Sequence, residues 1–286
     1  MCGSKTENHK ILGRRLNKSQ DWNPGKKVGI TVTVCKCTNC GLVYSNPQPV
    51  PINIQDHYGT LPEDYWTPEY FAIDENYFKN EIERLNKLTE IKKGMNSLDI
   101  GAGLGKQMIA LSKVGFNAYG IEPSEQFYER AISKMKINPE RLKLAMIEDI
   151  DYPENYFDFI SFGVVLEHIY DPASAIDRAI KWLKPNGIIH IEVPSSDWLI
   201  NKLINIYYKI KLSDYVGNLS PMHKPFHLYE FSLKSFENHK IGKYEIAFYE
   251  YYVCNTFLPS FIDYIVKPLM KRTNTGMQLC VWLRKI

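Results

Sequence analysis

The chain has 286 residues, 44% of them hydrophobic and 23% charged, with a net charge of +3. That is long enough for one large α/β domain with an appendage or for two modest domains, and too apolar and varied for a disordered or fibrous chain. No run approaches the roughly 18 consecutive apolar residues of a membrane span. The polar start MCGSKTENHK has no signal-peptide core, so a cytoplasmic protein is expected.

Four of the six cysteines, Cys2, Cys35, Cys37 and Cys40, lie in the first forty residues, which suggests a metal site and not a disulfide framework. Cys37-Thr38-Asn39-Cys40-Gly41 has the form of a zinc knuckle, with glycine allowing the tight turn that aims backbone N–H groups at a thiolate. Cys2-Gly3 looks like the second half of another knuckle. Three ligands are thus well spaced, and Cys35 or His9 is the candidate for the fourth around a structural Zn2+; a cluster of reduced thiols or a redox pair is the alternative. Residues 1–50 are read as a zinc-ribbon-like lobe. Residues 1–40 also hold eight Lys/Arg against two Asp/Glu, or +6, leaving −3 for the rest. A solvated basic face explains this charge, and nucleic acid is not expected as a partner.

The breaker-rich run from Asn46 to Pro51 closes the lobe. Residues 51–93 follow as a helical linker or lid, because Tyr77, Phe78, Ile82, Leu85 and Leu88 recur at helical spacing between Glu69 and Lys93. Short apolar runs then alternate with helical segments: Ser97 to Gly101, Asn117 to Ile121, Leu142 to Met146, Phe157 to Gly163 and Gly187 to Val193. This is the pattern of an α/β, Rossmann-like doubly wound parallel sheet, placed in a domain over residues 94–286. Within it, about residues 197–242 read as an inserted cap that begins with an apolar-basic helix, Leu199 to Leu212. Tyr244 to Cys254 and Met277 to Arg284 alternate as two strands that close the sheet with an antiparallel pair, and Thr273 to Gly276 is a turn.

Between the first strand and a helix starting near Lys106 stands Leu98-Asp99-Ile100-Gly101-Ala102-Gly103-Leu104-Gly105. Glycines there let the backbone approach a ligand. A dinucleotide fingerprint needs a glycine where this chain has Lys106, which disfavours a nicotinamide enzyme such as a nucleotide-sugar dehydrogenase or epimerase. Asp99, two residues before the first glycine, would repel a pyrophosphate and attract the ammonium and sulfonium of S-adenosylmethionine. Glu122, 17 residues after Gly105 and followed by Pro123, can accept both ribose hydroxyls of an adenosine. Met146 and Ile147 can sandwich the adenine, and Glu148 or Asp149 can meet its amino group.

The segments LDIGAGLG, YGIEPS, FDFISFGVVLEHIYDP and LKPNGIIHIEVP resemble, in order, the motifs of class I S-adenosylmethionine-dependent methyltransferases over about residues 91–196, and more loosely at HKPFHLYEFSLKSF. The resemblance implies a seven-stranded sheet with the last strand antiparallel, and a cofactor held at the carboxyl ends of the first strands. It also implies that Phe162 and Gly163 lie along the methionine portion. Met146 departs from the pattern, replacing the acid usual just before the adenine loop. The cysteine segment is similar to the lobe found before some methyltransferases of small molecules, sugar nucleotides included. The expected activity is methyl transfer from S-adenosylmethionine to an O, N or C nucleophile of a small acceptor such as a sugar or nucleotide-sugar. The alternative is a zinc-ribbon RNA-binding protein or RNA methyltransferase, and nothing in the chain specifies an oligomeric state.

Three histidines are candidates for a base that removes an acceptor proton: His168 after the fourth strand, then His227, then His223 in the cap. Glu167 can orient His168 or cap the following helix.

Overall fold

The computed structural model describes residues 1–15, 32–48, 66–219, 226–239, 243–254, 256 and 258–286. Seven strands form the main sheet: β4 (Asn96–Ile100), β5 (Asn117–Glu122), β6 (Leu142–Leu144), β7 (Phe157–Gly163), β8 (Leu183–Pro194), β10 (Tyr244–Tyr252) and β11 (Gln278–Lys285). Their order is β10-β11-β8-β7-β4-β5-β6. β6, β5, β4, β7 and β8 are parallel, and β11 runs antiparallel to both β8 and β10. This is the sheet expected from the sequence, with its last strand reversed. Three α-helices cross between the parallel strands: α3 (Lys106–Lys113), α4 (Glu125–Ser133) and α5 (Pro172–Trp182).

Because strand side chains alternate between faces, the sheet carries two cores. Leu98, Ile100, Ile160, Phe162, Ile189 and Ile191 pack on one face with Trp182. Phe159, Ile188, Cys280 and Trp282 pack on the other with Met108, Leu111 and Leu85. Cys280 is therefore a buried core thiol.

The chain leaves β4 toward β5 on one side and returns through β7 and β8 on the other. The crevice at the carboxyl ends of β4 and β7 is thus the switch point, where ligands bind in open α/β sheets.

A second, four-stranded antiparallel sheet has the order β1 (His9–Arg15), β2 (Val32–Cys37), β3 (Val43–Asn46) and β9 (Tyr229–Glu230). Its fourth strand comes from the region read as a cap, so the cysteine segment and the cap share hydrogen bonds. Ser232 and Ser235, at the start of α7 (Leu233–Glu237), donate to the Cys40 carbonyl at 2.8 and 3.0 Å, and Ser196 donates to the Gly41 carbonyl at 2.9 Å. A Cβ on Gly41 would fall 2.4 Å from Ser232 Oγ, so the knuckle glycine is also required by this docking.

Two elements differ from expectation, while the apolar-basic helix forms where it was expected. The amphipathic stretch is α1 (Pro68–Phe71) and α2 (Lys79–Leu88) instead of one helix, because Phe78 takes a left-handed conformation with φ 62°. The apolar-basic helix is α6 (Leu199–Ile210). Between the closing strands lies a helix not anticipated, α8 (Ser260–Thr273). Pro268 sits inside it and its apolar residues face outward, which masked its signature.

Candidate functional site

At the end of β4 the chain turns through Gly101, Gly103 and Gly105, all with positive φ. The amides of Gly101 and Ala102 donate to the Ile121 carbonyl at 2.8 and 2.9 Å, tying the loop to the end of β5. The glycines do different work. A Cβ on Gly101 would lie 2.4 Å from Val165 Cγ2, and one on Gly105 would lie 2.7 Å from Ile137. A Cβ on Gly103 would meet nothing closer than Phe127 at 3.9 Å, so Gly103 borders open space.

Two acids flank this loop. Asp99 is buried, and its Oδ1 accepts from Ser161 Oγ at 3.0 Å, while Gln107 hydrogen-bonds the same hydroxyl. Burial pushes its carboxyl up to about 7, with Ser161 pulling the other way. Glu122 accepts from the Gly103 amide at 2.7 Å through Oε2 and from the Ser124 amide at 2.8 Å through Oε1. Burial pushes it up to about 7 against those two bonds. Each oxygen retains a lone pair for a ligand hydroxyl. Two buried carboxylates around an open glycine loop are matched by a ligand carrying cationic groups at one end and a diol at the other, as S-adenosylmethionine does.

Two cavities meet at Gly101. The smaller, about 40 Å³, is lined by Pro123, Met146, Ile147, Glu148, Val165 and His168, among others. Met146, Ile147 and Glu148, the residues expected around an adenine, line it, and Asp149 does not. The larger, about 290 Å³, is lined by Asp99, Ala102 and Gly163 from the expected set. Phe162 stands apart. Its ring is fully buried in the core, so only its neighbour Gly163 reaches the cavity. Val164 between the cavities has φ 56°, a costly conformation for a β-branched residue, and Val165 beside it packs on Gly101.

Four further residues of the larger cavity, Tyr77, Glu81, His190 and Glu192, were not legible as site residues. His190 and Glu192 alternate on β8 within LKPNGIIHIEVP, where polar residues in an apolar strand were the available signal. His190 sits between the rings of Phe78 and Trp282, at centroid distances of 5.7 and 4.5 Å, with neither ring nitrogen hydrogen-bonded. Burial holds it down to about 3, so it is neutral. Glu192 has its carboxyl raised by burial and by repulsion from Glu81.

The histidines foreseen as bases separate. His168 and His227 come together with ring centroids 4.7 Å apart, and His168 Nδ1 lies 3.0 Å from the Phe226 carbonyl. Glu167 lies within 4.8 Å of both, wholly buried, with neither carboxylate oxygen hydrogen-bonded and its carboxyl pushed by burial up to about 8. His223 lies outside the described residues.

In the lobe, the Sγ atoms of Cys2, Cys37 and Cys40 lie within 4.8 Å of one another, with Cys2 and Cys37 3.7 Å apart. Burial opposes ionisation of Cys2, but hydrogen bonds from Ser4, Asn39 and Cys40 outweigh it and bring the thiol down to about 6. Burial raises Cys40 to about 12. Cys35, expected as a ligand, is not in this group. Two residues along β2 from Cys37, it lies outside the three-thiol cluster, and its thiol hydrogen-bonds Tyr44. The Tyr44 hydroxyl also meets His9 Nδ1 at 2.7 Å.

The seven-stranded sheet and its glycine loop have the Rossmann-like fold of class I methyltransferases. The chain belongs to the methyltransferase-domain family, whose model matches residues 72–238. It is 30% identical over 127 residues to a ubiquinone biosynthesis O-methyltransferase of Bradyrhizobium diazoefficiens, a match covering 42% of this chain and 47% of that protein. It is also 30% identical over 118 residues to an uncharacterised methyltransferase of Schizosaccharomyces pombe, covering 36% of this chain and 41% of the other. These matches span about half, or less, of the relatives' length. Among solved structures, a chain of the complex between the Haloferax volcanii Trm112 methyltransferase activator and a methyltransferase superposes with a TM-score of 0.53 at 13% identity, over 82% of this chain and 97% of that one. An S-adenosylmethionine-dependent methyltransferase from Mesorhizobium loti gives 0.50 at 15%, over 72% and 97%. At these identities the structures bear on fold alone.

Proposed function

We propose that this protein methylates a hydroxyl oxygen of a small molecule, using S-adenosylmethionine. The observation that carries the reading is the pair of buried carboxylates, Asp99 and Glu122, on either side of the open glycine loop. Bound there, the cofactor supplies an electrophilic methyl group. The protein's own part is positioning. Glu122 holds the ribose end, Asp99 with Ser161 and Gln107 holds the cationic end, and the larger cavity receives the acceptor beside Gly163. Transfer to oxygen fits the relatives named O-methyltransferases. They lend no support to the sugar or nucleotide-sugar acceptor expected from the sequence.

An acceptor hydroxyl has to lose its proton, and in this reading the base is Glu192, which lines the larger cavity with Glu81 and Asp99. Burial and Glu81 raise its proton affinity, which suits a general base. His168 acts from the wall of the smaller cavity as a positioning residue, with Glu167 buried behind it. Calorimetry with S-adenosylmethionine, S-adenosylhomocysteine and NAD tests the cofactor. Transfer of isotopic methyl across a panel of phenols and aliphatic alcohols tests the acceptor. Binding of NAD and neither adenosyl ligand would overturn the reading.

A structural zinc on Cys2, Cys37 and Cys40 is part of this proposal. Tetrahedral zinc with Zn–S bonds of about 2.3 Å holds neighbouring sulfurs about 3.8 Å apart, which the Cys2–Cys37 separation of 3.7 Å supports. The fourth position falls to water, since His9, like Cys35, lies outside the clustered group.

A further inference from the structure

Among the described residues, half of the large apolar side chains left in solvent lie on two helices. On α6, Leu203, Ile206, Tyr207 and Ile210 are 49, 55, 53 and 77% exposed, and Leu212 just beyond is 97% exposed. On α8, Phe261, Tyr264, Ile265 and Leu269 are 74, 84, 70 and 48% exposed. Spacings of three and four residues gather each set into one stripe. A surface helix normally turns such a stripe toward the core. Here the inward contacts are few: Ile200 and Asn201 are the buried residues of α6, and Met270 is that of α8.

The helices belong to one surface. The Leu199 amide at the start of α6 donates to the Thr275 carbonyl just past α8, at 3.1 Å. An open groove of about 850 Å³ is lined by Leu203, Ile204, Tyr207 and Tyr208 and by Leu258 at the entry to α8. An exposed apolar surface of this extent marks an interaction site.

Charge identifies the occupant. Lys202, Lys209 and Lys211 lie on or just beyond α6, and Lys267, Lys271 and Arg272 lie on α8, while Asp263 is the one acid in the two helices. Lys202 pairs with Asp197 and Lys267 with Asp263. Lys209, Lys211, Lys271 and Arg272 make no ion pair with a described residue. A second copy docked on this face would bring like charges together. A bilayer surface bearing anionic headgroups offers hydrocarbon for Phe261, Ile265, Ile206 and Ile210, an interfacial level for Tyr207 and Tyr264, and negative charge for the lysines, whose stems snorkel.

We propose that α6 and α8 form a docking surface for anionic lipid bilayers, holding the protein at a membrane without spanning it. No helix among the described residues is long and apolar enough to cross one. The inference goes beyond the methyl-transfer reading and does not depend on it.

Flotation of the full chain with vesicles of phosphatidylcholine mixed with phosphatidylglycerol, and with vesicles of phosphatidylcholine alone, tests it. Partition onto the mixed vesicles should exceed that onto neutral ones by about ten-fold or more, and should fall with added salt. The pair Phe261→Ser and Ile265→Ser, and separately the pair Lys271→Glu and Arg272→Glu, should each lower partition about ten-fold. The melting transition and S-adenosylhomocysteine affinity should stay as in the parent. If the apolar pair misfolds, the charge pair, wholly on exposed positions, still decides. Absence of flotation, equal flotation with both vesicle types, or loss of neither variant's partition would overturn the proposal. So would a dimer in sedimentation velocity that Phe261→Ser and Ile265→Ser dissolve, in a protein that does not float.

Discussion

Glu122 Oε2 accepts a hydrogen bond from the amide of Gly103, 2.7 Å away and 19 residues earlier in the chain. One carboxylate therefore ties the loop between β4 and α3 to the end of β5. Hydrogen bonds to a charged group contribute about 1.5–3 kcal/mol each. Glu122→Ala removes the loop anchor and the ribose contacts together, so calorimetry should show S-adenosylmethionine affinity falling by about 100-fold, the product of two such losses at the low end. Affinity within a few fold of the parent would remove Glu122 from the site.

The contact between Gly101 and Val165 predicts a rescue. Gly101→Ala places a methyl 2.4 Å from Val165 Cγ2 at a backbone φ of 73°, and overpacking of this kind costs about 1–3 kcal/mol. The melting temperature should drop by several degrees. Val165→Ala in the same chain should recover part of the loss by removing the clash, leaving only the strain of the positive φ. Without recovery, the close approach is not what requires glycine there.

Much of this site was legible in the sequence because its groups are adjacent in the chain. Asp99 lies two residues before Gly101, and Glu122 ends the next strand, so spacing alone announced them. Asp99's partners Ser161 and Gln107 arrive from β7 and α3, and the acceptor cavity takes Tyr77 from before α2 and His190 and Glu192 from β8. No local pattern joins those. The parallel sheet was readable from its apolar runs, whereas the junction of β3 with β9 pairs segments nearly two hundred residues apart and has no periodic signature. For Cys35 the cluster in sequence misled. It shares a strand face with Cys37, yet its thiol meets Tyr44 outside the three-thiol cluster.

Asp99 and Glu122 are held at about 7, and Glu167 at about 8, each by burial. Their unfolded values lie near 4, so between about pH 4 and pH 8 the folded chain binds more protons than the unfolded one. The stability they contribute is complete below the unfolded values and is lost as pH rises through the folded ones. Denaturant titrations of the unliganded protein should show stability falling across this window, and Asp99→Asn with Glu122→Gln should flatten the slope. S-adenosylmethionine favours ionised Asp99, so its stabilising effect should grow as pH rises through 7. A ligand effect independent of pH would mean that Asp99 does not meet its cationic end.

Protein purified without chelator should contain close to one zinc per chain. Cys37→Ser and Cys40→Ser should each abolish it, and Cys35→Ser should retain it, since the Cys35 thiol faces Tyr44. Because metal binding and folding are coupled in small lobes, removing zinc should raise hydrogen exchange in β2 and β3 before it affects β4 and β7. Elemental analysis showing no zinc in the parent, or loss of zinc in Cys35→Ser alone, would refute the three-thiol site.

The proton acceptor separates two parts of the site. Glu192 lines the larger cavity with Gly163 and Asp99, whereas His168 lines the smaller one, its Nδ1 directed at the Phe226 carbonyl. His190, the histidine of the larger cavity, is held near 3 by burial and has no proton-accepting role that titrates near neutrality. A general base contributes about 10²–10⁴ in rate. With an acceptor from the methyl-transfer screen, Glu192→Gln should therefore lower kcat by about 100-fold or more, leave S-adenosylmethionine affinity within a few fold, and abolish the acid limb of the pH–rate profile. His168→Gln, acting on the cofactor side, should instead raise the apparent KM for S-adenosylmethionine and preserve that limb. His227→Gln should resemble it, because the two rings pack together at 4.7 Å between centroids. If the acid limb survives in Glu192→Gln and disappears in His168→Gln, the base is the histidine first expected from the sequence, and the acceptor reaches across Gly101 to meet it.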